Sequence, residues 1–185
     1  MSPRTPVFLL PVLLLWSSTG HAGVFILGDA TDYVTISAAV AAAATDDIIE
    51  IDAGTYEENF PIVLPVDLEL LGTSGSSSTT LHNPDSGYSG DLIEGDGVNL
   101  TIGGLTMTSA GLNRGVDIDV GSVSATDIVA TGLDGGAGEG GALRVRGGWL
   151  TVADSTFIGN VAHSGGALSA DEQVIITNSV FLDNV

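Results

Sequence analysis

Charged and polar residues recur at a fixed interval in the second half of the chain. Two series have members 25 residues apart: Glu94, Asp119, Arg144 and Ser169, and Asp96, Gly121, Arg146 and Asp171. Carboxylates accept hydrogen bonds from hydroxyl groups and guanidinium groups donate them, so a strip of Glu94, Asp119, Arg144, Arg146 and Asp171 could bind carbohydrate. The same side chains could instead neutralise one another, Asp119 with Arg144 and Arg146 with Asp171. We favour charge compensation and keep both interpretations.

The spacing of these residues reflects an internal repeat. From residue 91 the chain divides into segments 91–115, 116–140 and 141–165, followed by a shorter segment 166–185. Gly-Gly-Ala-Leu at 140–143 recurs at 165–168, and Phe-x-x-Asn at 157–160 recurs at 181–184. Apolar alternation at 100–102, 123–125, 150–152 and 174–176 adds a second strand to each segment. Gly, Asn and Asp residues between the strands predict the corners.

A strand-only repeat of this length buries its apolar side chains only by stacking on its neighbours. We therefore predict an all-β fold, a right-handed parallel β-helix of about five coils. A fixed 25-residue step places Ile93, Ile118, Leu143 and Leu168 in one inward column. Val120 and Val145 would begin a second inward column two residues later.

The front of the domain predicts a cap. Apolar residues at helical spacing over 35–44, with Thr35 as the N-cap, indicate a short helix within a cap at about 34–46. A strand follows at 48–51. The helix would cover the first coil, whose open strand edge would otherwise invite association. The Gly/Ser/Thr-rich segment 73–80 predicts a loop that protrudes from the coil.

Residues 1–22 predict an export signal that is cleaved after Ala22. Arg4 precedes an apolar run at 7–16, and the small residues Gly20 and Ala22 stand where signal peptidase requires them. Ten apolar residues span about 15 Å as a helix, half of a ~30 Å hydrocarbon core. A membrane anchor is therefore too short, and we expect an exported β-helix domain at 23–185 with no transmembrane segment.

Charge excludes several classes of partner. The chain has 23 acidic residues against four arginines, no lysine, and a net charge of −19. Nucleic acids and anionic membranes need a basic surface, so neither is expected as a partner.

The chain has no cysteine, which excludes a disulfide framework. At 44% hydrophobic residues it also has the apolar content of a folded domain.

Three smaller features each have a structural and a functional interpretation. Residues 134–140 resemble one copy of a calcium-binding nonapeptide, but a glycine-rich corner is the simpler interpretation, and no metal site is predicted. Asn160 and Asn184 recur at corners, where their amides can bond neighbouring turns. Trp149 and Tyr88 could stack on a sugar ring, although isolated aromatic residues are usually incidental.

Three parts of the chain resemble known families. The Ala-rich helix with Thr35-Ile36, the strand at 48–51 and Ala-Gly-Thr-Tyr-Glu-Glu at 53–58 resemble the opening of pectin-lyase-like right-handed β-helix proteins. The continuation from 59–62 to 70–72 is similar to a β-helix domain of bacterial surface proteins. The Gly-Gly-Ala-Leu and Phe-x-x-Asn motifs resemble repeats of polymorphic outer-membrane proteins. These resemblances imply an exported β-helix at the bacterial envelope.

The resemblance to pectin-lyase-like proteins raises the question of catalysis, because that fold carries both enzymes and adhesins. Polygalacturonase-like members have a Gly-His-Gly and an Arg-x-Lys, whereas His82 and His163 lack such glycines and the chain has no lysine. Pectate-lyase-like elimination uses an arginine base beside calcium carboxylates, for which Arg144 and Arg146 are the candidates. We therefore predict no catalytic residues and no cofactor.

The favoured function is a non-catalytic role of an extracellular or cell-surface protein in adhesion, matrix or envelope contact. Its partner would be an extracellular polysaccharide or another surface protein. The alternative is a polysaccharide-active enzyme whose catalytic coils are absent or diverged. Because the last segment stops at Val185 without a cap, we also expect a C-terminally incomplete chain. Val174, Ile176 and Phe181 would then face solvent, and the chain would associate end to end.

Overall fold

The computed structural model describes residues 23–185, which wind into a β-solenoid of about five turns. Half of the chain is strand and a single helix accounts for 4%, so the prediction of an all-β solenoid with parallel strands is confirmed. The predicted leader at residues 1–22 lies outside the described residues.

Most of the strands are short, as expected for coils that turn at glycine, asparagine and aspartate. The first part of the chain contains β1 (Val24–Ile26), β2 (Asp32–Tyr33), α1 (Ile36–Ala42), β3 (Asp47–Ile51), β4 (Gly54–Tyr56), β5 (Ile62–Leu64), β6 (Leu68–Gly72) and β7 (Thr79–Asn83). The second part contains β8 (Asp91–Asp96), β9 (Leu100–Ser109), β10 (Arg114–Asp119), β11 (Val123–Thr131), β12 (Leu143–Arg146), β13 (Leu150–Ala153), β14 (Thr156–Ile158), β15 (Leu168–Ala170), β16 (Val174–Thr177) and β17 (Val180–Leu182).

Two sheets form the walls of the solenoid. A five-stranded parallel sheet has the order β15-β12-β10-β8-β5. A twelve-stranded sheet runs β16-β13-β11-β9-β6-β3-β1-β2, and its branches β4-β7 and β14-β17 pair with the second halves of β9 and β11. All of these pairs are parallel except those of β1, which runs antiparallel to β2 and β3. Each coil therefore contributes strands to both sheets.

The core is a set of aliphatic columns between the sheets. In the twelve-stranded sheet, Leu100, Val123, Leu150 and Val174 stack in register, as the sequence predicts. In the five-stranded sheet the predicted column is wrong at one coil, because Val116 and not Ile118 stacks between Ile93 and Leu143. Ile118 lies two residues further along, between Gly95 and Val145, and is also buried.

Unequal coil lengths cause this shift. Val116 follows Ile93 by 23 residues, Leu143 follows Val116 by 27, and Leu168 follows Leu143 by 25. A 25-residue step is thus correct on average and fails only between the short and the long coil. Val120, predicted to point inward, is 66% exposed, because a left-handed backbone (φ 54°) after β10 turns it out of the column.

The predicted cap is present at the start of the solenoid. Thr35 caps α1 by accepting a hydrogen bond from the Ala38 N–H at 3.1 Å, and Ile36 and Val40 bury their side chains in the core. The carboxylate of Glu58 accepts hydrogen bonds from the Ile36 N–H (2.7 Å) and the Ser37 hydroxyl (2.7 Å). A carboxylate is favourable there because the first N–H groups of a helix have no partner within it.

The loop after β6 does not protrude, contrary to the prediction. Its Ser76 is buried, and its hydroxyl donates a 2.7 Å hydrogen bond to Asp127 on β11, two coils further along the solenoid. The Thr106 hydroxyl donates to the Ser76 carbonyl, also at 2.7 Å. Polar loop residues thus find partners on the solenoid wall, so the loop folds flat against it.

Asparagines hold the corners, as predicted. Asn160 is fully buried, accepts a hydrogen bond from the Leu133 N–H at 3.0 Å and donates to the Ala130 carbonyl at 3.0 Å and to Asn184 at 2.8 Å. The segment 134–140 forms the glycine-rich corner of the long coil, where Asp134 accepts a hydrogen bond from the Gly136 N–H. These amides satisfy backbone groups that no strand partner reaches.

The last described coil is the least buried. Val174, Ile176 and Phe181 expose 42%, 49% and 38% of their surface. The Phe181 ring nevertheless stacks on Phe157 of the preceding coil, with ring centroids 5.0 Å apart and an interplanar angle of 7°. The column of the core therefore continues to β17.

Candidate functional site

The charged residues singled out from the sequence lie mainly on the outer side of the five-stranded sheet. Side chains alternate along a strand, so the buried Val116 and Ile118 leave Asp117 and Asp119 pointing outward on β10. By the same alternation, β12 buries Leu143 and Val145 and presents its two arginines. We call this surface the charged face; it consists of Glu94, Asp96, Asp117, Asp119, Arg144 and Arg146.

The register brings together different partners from those predicted. Asp117, not Asp119, lies between Glu94 and Arg144, and the row continues to Ser169. Asp119 lies beside Arg146 in a second row that begins at Asp96. The predicted pair of Asp119 with Arg144 is therefore wrong, because the coil between β8 and β10 is two residues shorter than the average.

The predicted pair of Arg146 with Asp171 is also wrong. Arg146 forms its ion pair with Asp119, and the Asp171 carboxylate accepts a 3.3 Å hydrogen bond from the Gly147 N–H. Gly121, which the sequence placed in the outward row, lies beyond the end of β10. A Cβ atom there would lie 1.8 Å from the carbonyl oxygen of Val98, so only glycine fits this contact between coils.

Asp117 is the centre of a partly buried ion-pair cluster. Its carboxylate accepts hydrogen bonds from Arg114 Nη1 at 2.9 Å, from Arg144 Nε at 2.7 Å and from Arg144 Nη2. Arg114 Nη1 also donates to Asp91 at 2.9 Å. The side chains of Arg114, Asp117 and Arg144 are only 7%, 10% and 16% exposed. Two cations and two anions therefore share one weakly hydrated site.

This environment shifts the pKa values of the two carboxyl groups in opposite directions. Burial and the negative charge of Asp117 raise the pKa of Asp91 to about 6, although the positive charge of Arg114 acts to lower it. Burial also acts to raise the pKa of Asp117, but hydrogen bonds from Arg144 and the charges of both arginines outweigh it and hold that pKa below its ordinary value. On lowering the pH, Asp117 therefore keeps its negative charge longer than Asp91 does.

The cluster of Asp91, Arg114 and Asp117 was not predicted from the sequence. The fixed 25-residue step placed Asp119 beside Arg144, and it gave Asp117 no partner. The signal that could have revealed it is the repeated pair of an aliphatic residue and an acid, Ile93-Glu94 and Val116-Asp117, at a 23-residue step.

An open groove of about 290 Å³ lies on the charged face. We call it the face groove; it is lined by Val63, Glu94, Gly95, Asp96, Asp117, Asp119 and Arg146. Within residues 23–185, Glu94 and Asp96 have no ion-pair partner, whereas Asp117 and Asp119 are paired with arginines. The groove therefore presents uncommitted hydrogen-bond acceptors beside a neutralised wall. No group of three or more acidic or histidine side chains is positioned for a metal ion in this part of the chain.

The two aromatic residues singled out from the sequence lie apart. Trp149 precedes β13 in the twelve-stranded sheet, and its indole N–H donates a 2.7 Å hydrogen bond to Glu172. Tyr88 lies in the loop before β8, where its hydroxyl donates to the Asp91 carbonyl at 3.3 Å. The structure does not combine them into one sugar-stacking platform.

Comparisons with known proteins add no family. No protein-family model, curated protein or solved structure matches the chain. Among the described residues no helix is long and apolar enough to cross a membrane, since α1 has only seven residues.

Proposed function

We propose that this chain is an exported, cell-surface β-helix protein that contacts extracellular polysaccharide without catalysis, in adhesion or in matrix or envelope contact. The observation that carries the proposal is the face groove, where Glu94 and Asp96 are uncommitted acceptors while both arginines of the charged face are held in ion pairs. Carboxylates free of a partner accept hydrogen bonds from sugar hydroxyl groups.

The charge of the chain favours a neutral polysaccharide. At a net charge of −19, the protein repels a polymer of uronic acids over distances up to the Debye length, about 8 Å at physiological salt. The face groove adds a local negative potential, because its carboxylates outnumber its arginine. A neutral, hydroxyl-rich polymer meets no such repulsion and can use every acceptor.

The geometry of the charged face argues against arginine-base catalysis. An arginine base must lose a proton, but Arg144 donates two hydrogen bonds to Asp117. Burial alone would lower the pKa of Arg144, yet the hydrogen bond and charge of Asp117 leave it above the ordinary value. Arg146 is paired in the same way with Asp119. The pair with Asp117 therefore stabilises the protonated form of Arg144, which a lyase cannot use as a base.

Asp91 and Asp117 lie too close together to serve as the two carboxyl groups of inverting hydrolysis. It needs two carboxyl groups about 6.5–9.5 Å apart, with room for a water molecule between the sugar and the base. The bonded oxygens of Asp91 and Asp117 both lie 2.9 Å from the same nitrogen, Arg114 Nη1, so they are closer together than that.

Export to the bacterial envelope completes the proposal. It is supported by the leader pattern at residues 1–22 and by the resemblance of the Gly-Gly-Ala-Leu and Phe-x-x-Asn motifs to polymorphic outer-membrane repeats. The resemblance of residues 34–71 to pectin-lyase-like proteins supports a surface encounter with polysaccharide. Secretion into culture medium and leader cleavage after Ala22, read by N-terminal sequencing, test this part.

Co-sedimentation with insoluble cellulose, mannan and xylan tests binding. The purified chain should be retained by at least one of these neutral polymers, and the double variant Glu94→Ala/Asp96→Ala should lose that retention. The control Glu50→Ala/Glu69→Ala makes the same change of charge on the twelve-stranded sheet and should bind normally. Release of reducing sugar or of unsaturated ends, from these polymers or from pectate, would instead establish the enzymatic alternative.

A further inference from the structure

A second groove lies at the corner where β8 and β10 begin. We call it the corner groove; it has a volume of about 200 Å³ and is lined by Ser89, Gly90, Asp91, Leu112, Arg114, Asp134, Gly135 and Gly136. None of the residues singled out for the charged face lines it. Its walls come from three successive coils, so its shape depends on the packing of the solenoid and not on one loop.

The corner groove contains a built hydrogen-bond donor. Arg114 is only 6% exposed, and its Nε atom donates to the carbonyls of Glu139 (3.0 Å) and Gly140 (2.9 Å). Its Nη1 atom is used by Asp91 and Asp117. Its Nη2 atom has no hydrogen-bond partner among residues 23–185. Arg114 thus lines the corner groove with a guanidinium that protein contacts hold at two nitrogens, so its position is fixed before any ligand binds.

The other walls complement this donor. Asp134 uses one carboxylate oxygen for the Gly136 N–H at 2.6 Å, which fixes the carboxylate at the rim. Leu112 is 60% exposed and offers an apolar surface. A fixed cationic donor, carboxylate acceptors and one apolar wall match the hydroxyl groups and the C–H face of a sugar ring.

The corner groove and the face groove lie in line along the strands. Asp91 begins β8 and borders the corner groove, and Asp96 ends β8 and borders the face groove. Five residues of strand separate them by about 16 Å. The Arg114–Asp117 ion pair lies between the grooves and belongs to both walls.

We propose that the corner groove is a second sugar subsite. A neutral polysaccharide then lies parallel to the strands of the five-stranded sheet, with one sugar unit in the corner groove and another in the face groove. This inference rests on the proposed function and adds to it the direction of the ligand and its shortest length. A monosaccharide reaches only one groove, whereas an oligosaccharide long enough to cover about 16 Å engages both.

Calorimetric titration of the full chain tests the subsite. The probes are cellotetraose, mannotetraose and xylotetraose, each with its monosaccharide. The variant Ser89→Trp fills the corner groove from an exposed loop position, and Ser124→Trp places the same side chain on an exposed position of β11 as a control. We expect the best-bound tetrasaccharide to bind the Ser89→Trp variant about tenfold more weakly, as for the loss of one charge-assisted contact. The Ser124→Trp variant should bind it like the parent chain.

The outcomes separate the two proposals. If Ser89→Trp binds as tightly as the parent chain while Glu94→Ala/Asp96→Ala loses binding, the corner groove is not a subsite and the proposed function stands. If monosaccharide and tetrasaccharide bind equally well, the alignment of the two grooves is refuted. If neither the tetrasaccharides nor the insoluble polymers bind the parent chain, both proposals fail. Unchanged melting temperatures of the two tryptophan variants exclude unfolding as the cause.

Discussion

Removal of the Asp117 carboxylate by Asp117→Ala is the sharpest test of the register of the five-stranded sheet. Arg144 would lose both of its hydrogen bonds while its side chain remains only 16% exposed. Breaking a buried ion pair by removing one partner costs about 3–5 kcal/mol. Because Arg114 keeps its bond to Asp91, we expect the lower end of that range. The corresponding shift is a loss of about 6–12 °C in melting temperature.

The matched variant is Asp119→Ala. In its pair with Arg146 the two side chains are 38% and 45% exposed, and an ion pair of that exposure contributes about 0.2–1 kcal/mol. Urea unfolding and thermal melts of both variants, followed by circular dichroism, give the comparison. Equal destabilisation, or a larger loss for Asp119→Ala, would refute the register in which Asp117 is the partner of Arg144.

Four further variants test other parts of the structure. As the pH rises from 3.8 to about 6, folded Asp91 still holds a proton that the unfolded chain has released, so the free energy of unfolding falls. Asp91→Asn should remove this fall, which is measured as melting temperature against pH. Asn160→Ala should cost about 1–3 kcal/mol in urea unfolding, because buried backbone groups lose their partner. Val145→Asp should lower the melting temperature strongly, whereas Val120→Asp should leave it unchanged or raise it, since aspartate tolerates the left-handed region better than valine. Equal effects at these two valines would contradict the observed register.

The coil architecture was predictable because its signal is strong and local. Apolar residues at alternate positions identify the inward side of each strand, and Leu100, Val123 and Leu150 fall on that side without any knowledge of the corners. The cap was predictable for a similar reason, because Thr35 and the alanines that follow it form a capped helix from nearby residues alone.

The register of the five-stranded sheet was not predictable from the apolar pattern. A shift by two residues keeps every side chain on its own side of the sheet, so Ile118 satisfies the inward pattern as well as Val116 does. What decides between them is the length of each corner. The glycine-rich corner at 134–140 belongs to the long coil, and its extra length compensates the short coil before it.

The pairing of charges at the candidate site depends on the register of the five-stranded sheet. Which carboxylate faces Arg144 depends on that two-residue shift, so the sequence identified the arginines correctly as outward residues but paired Arg144 with Asp119 in place of Asp117. The role of Arg114 depends on contacts with the carbonyls of the next coil, which no sequence pattern encodes. Long-range geometry, not local propensity, therefore sets the chemistry of this surface.

Calorimetric titration with neutral and acidic tetrasaccharides of equal length, at low and at physiological salt, shows whether the chain binds a neutral polysaccharide without cleaving it. A neutral tetrasaccharide should bind saturably and with little dependence on salt, because hydroxyl groups and not charges are recognised. Tetragalacturonate should not bind, because the excess of carboxylates repels it. Tighter binding of tetragalacturonate than of every neutral probe, or cleavage of a bound sugar during the titration, would refute non-catalytic binding of a neutral polysaccharide.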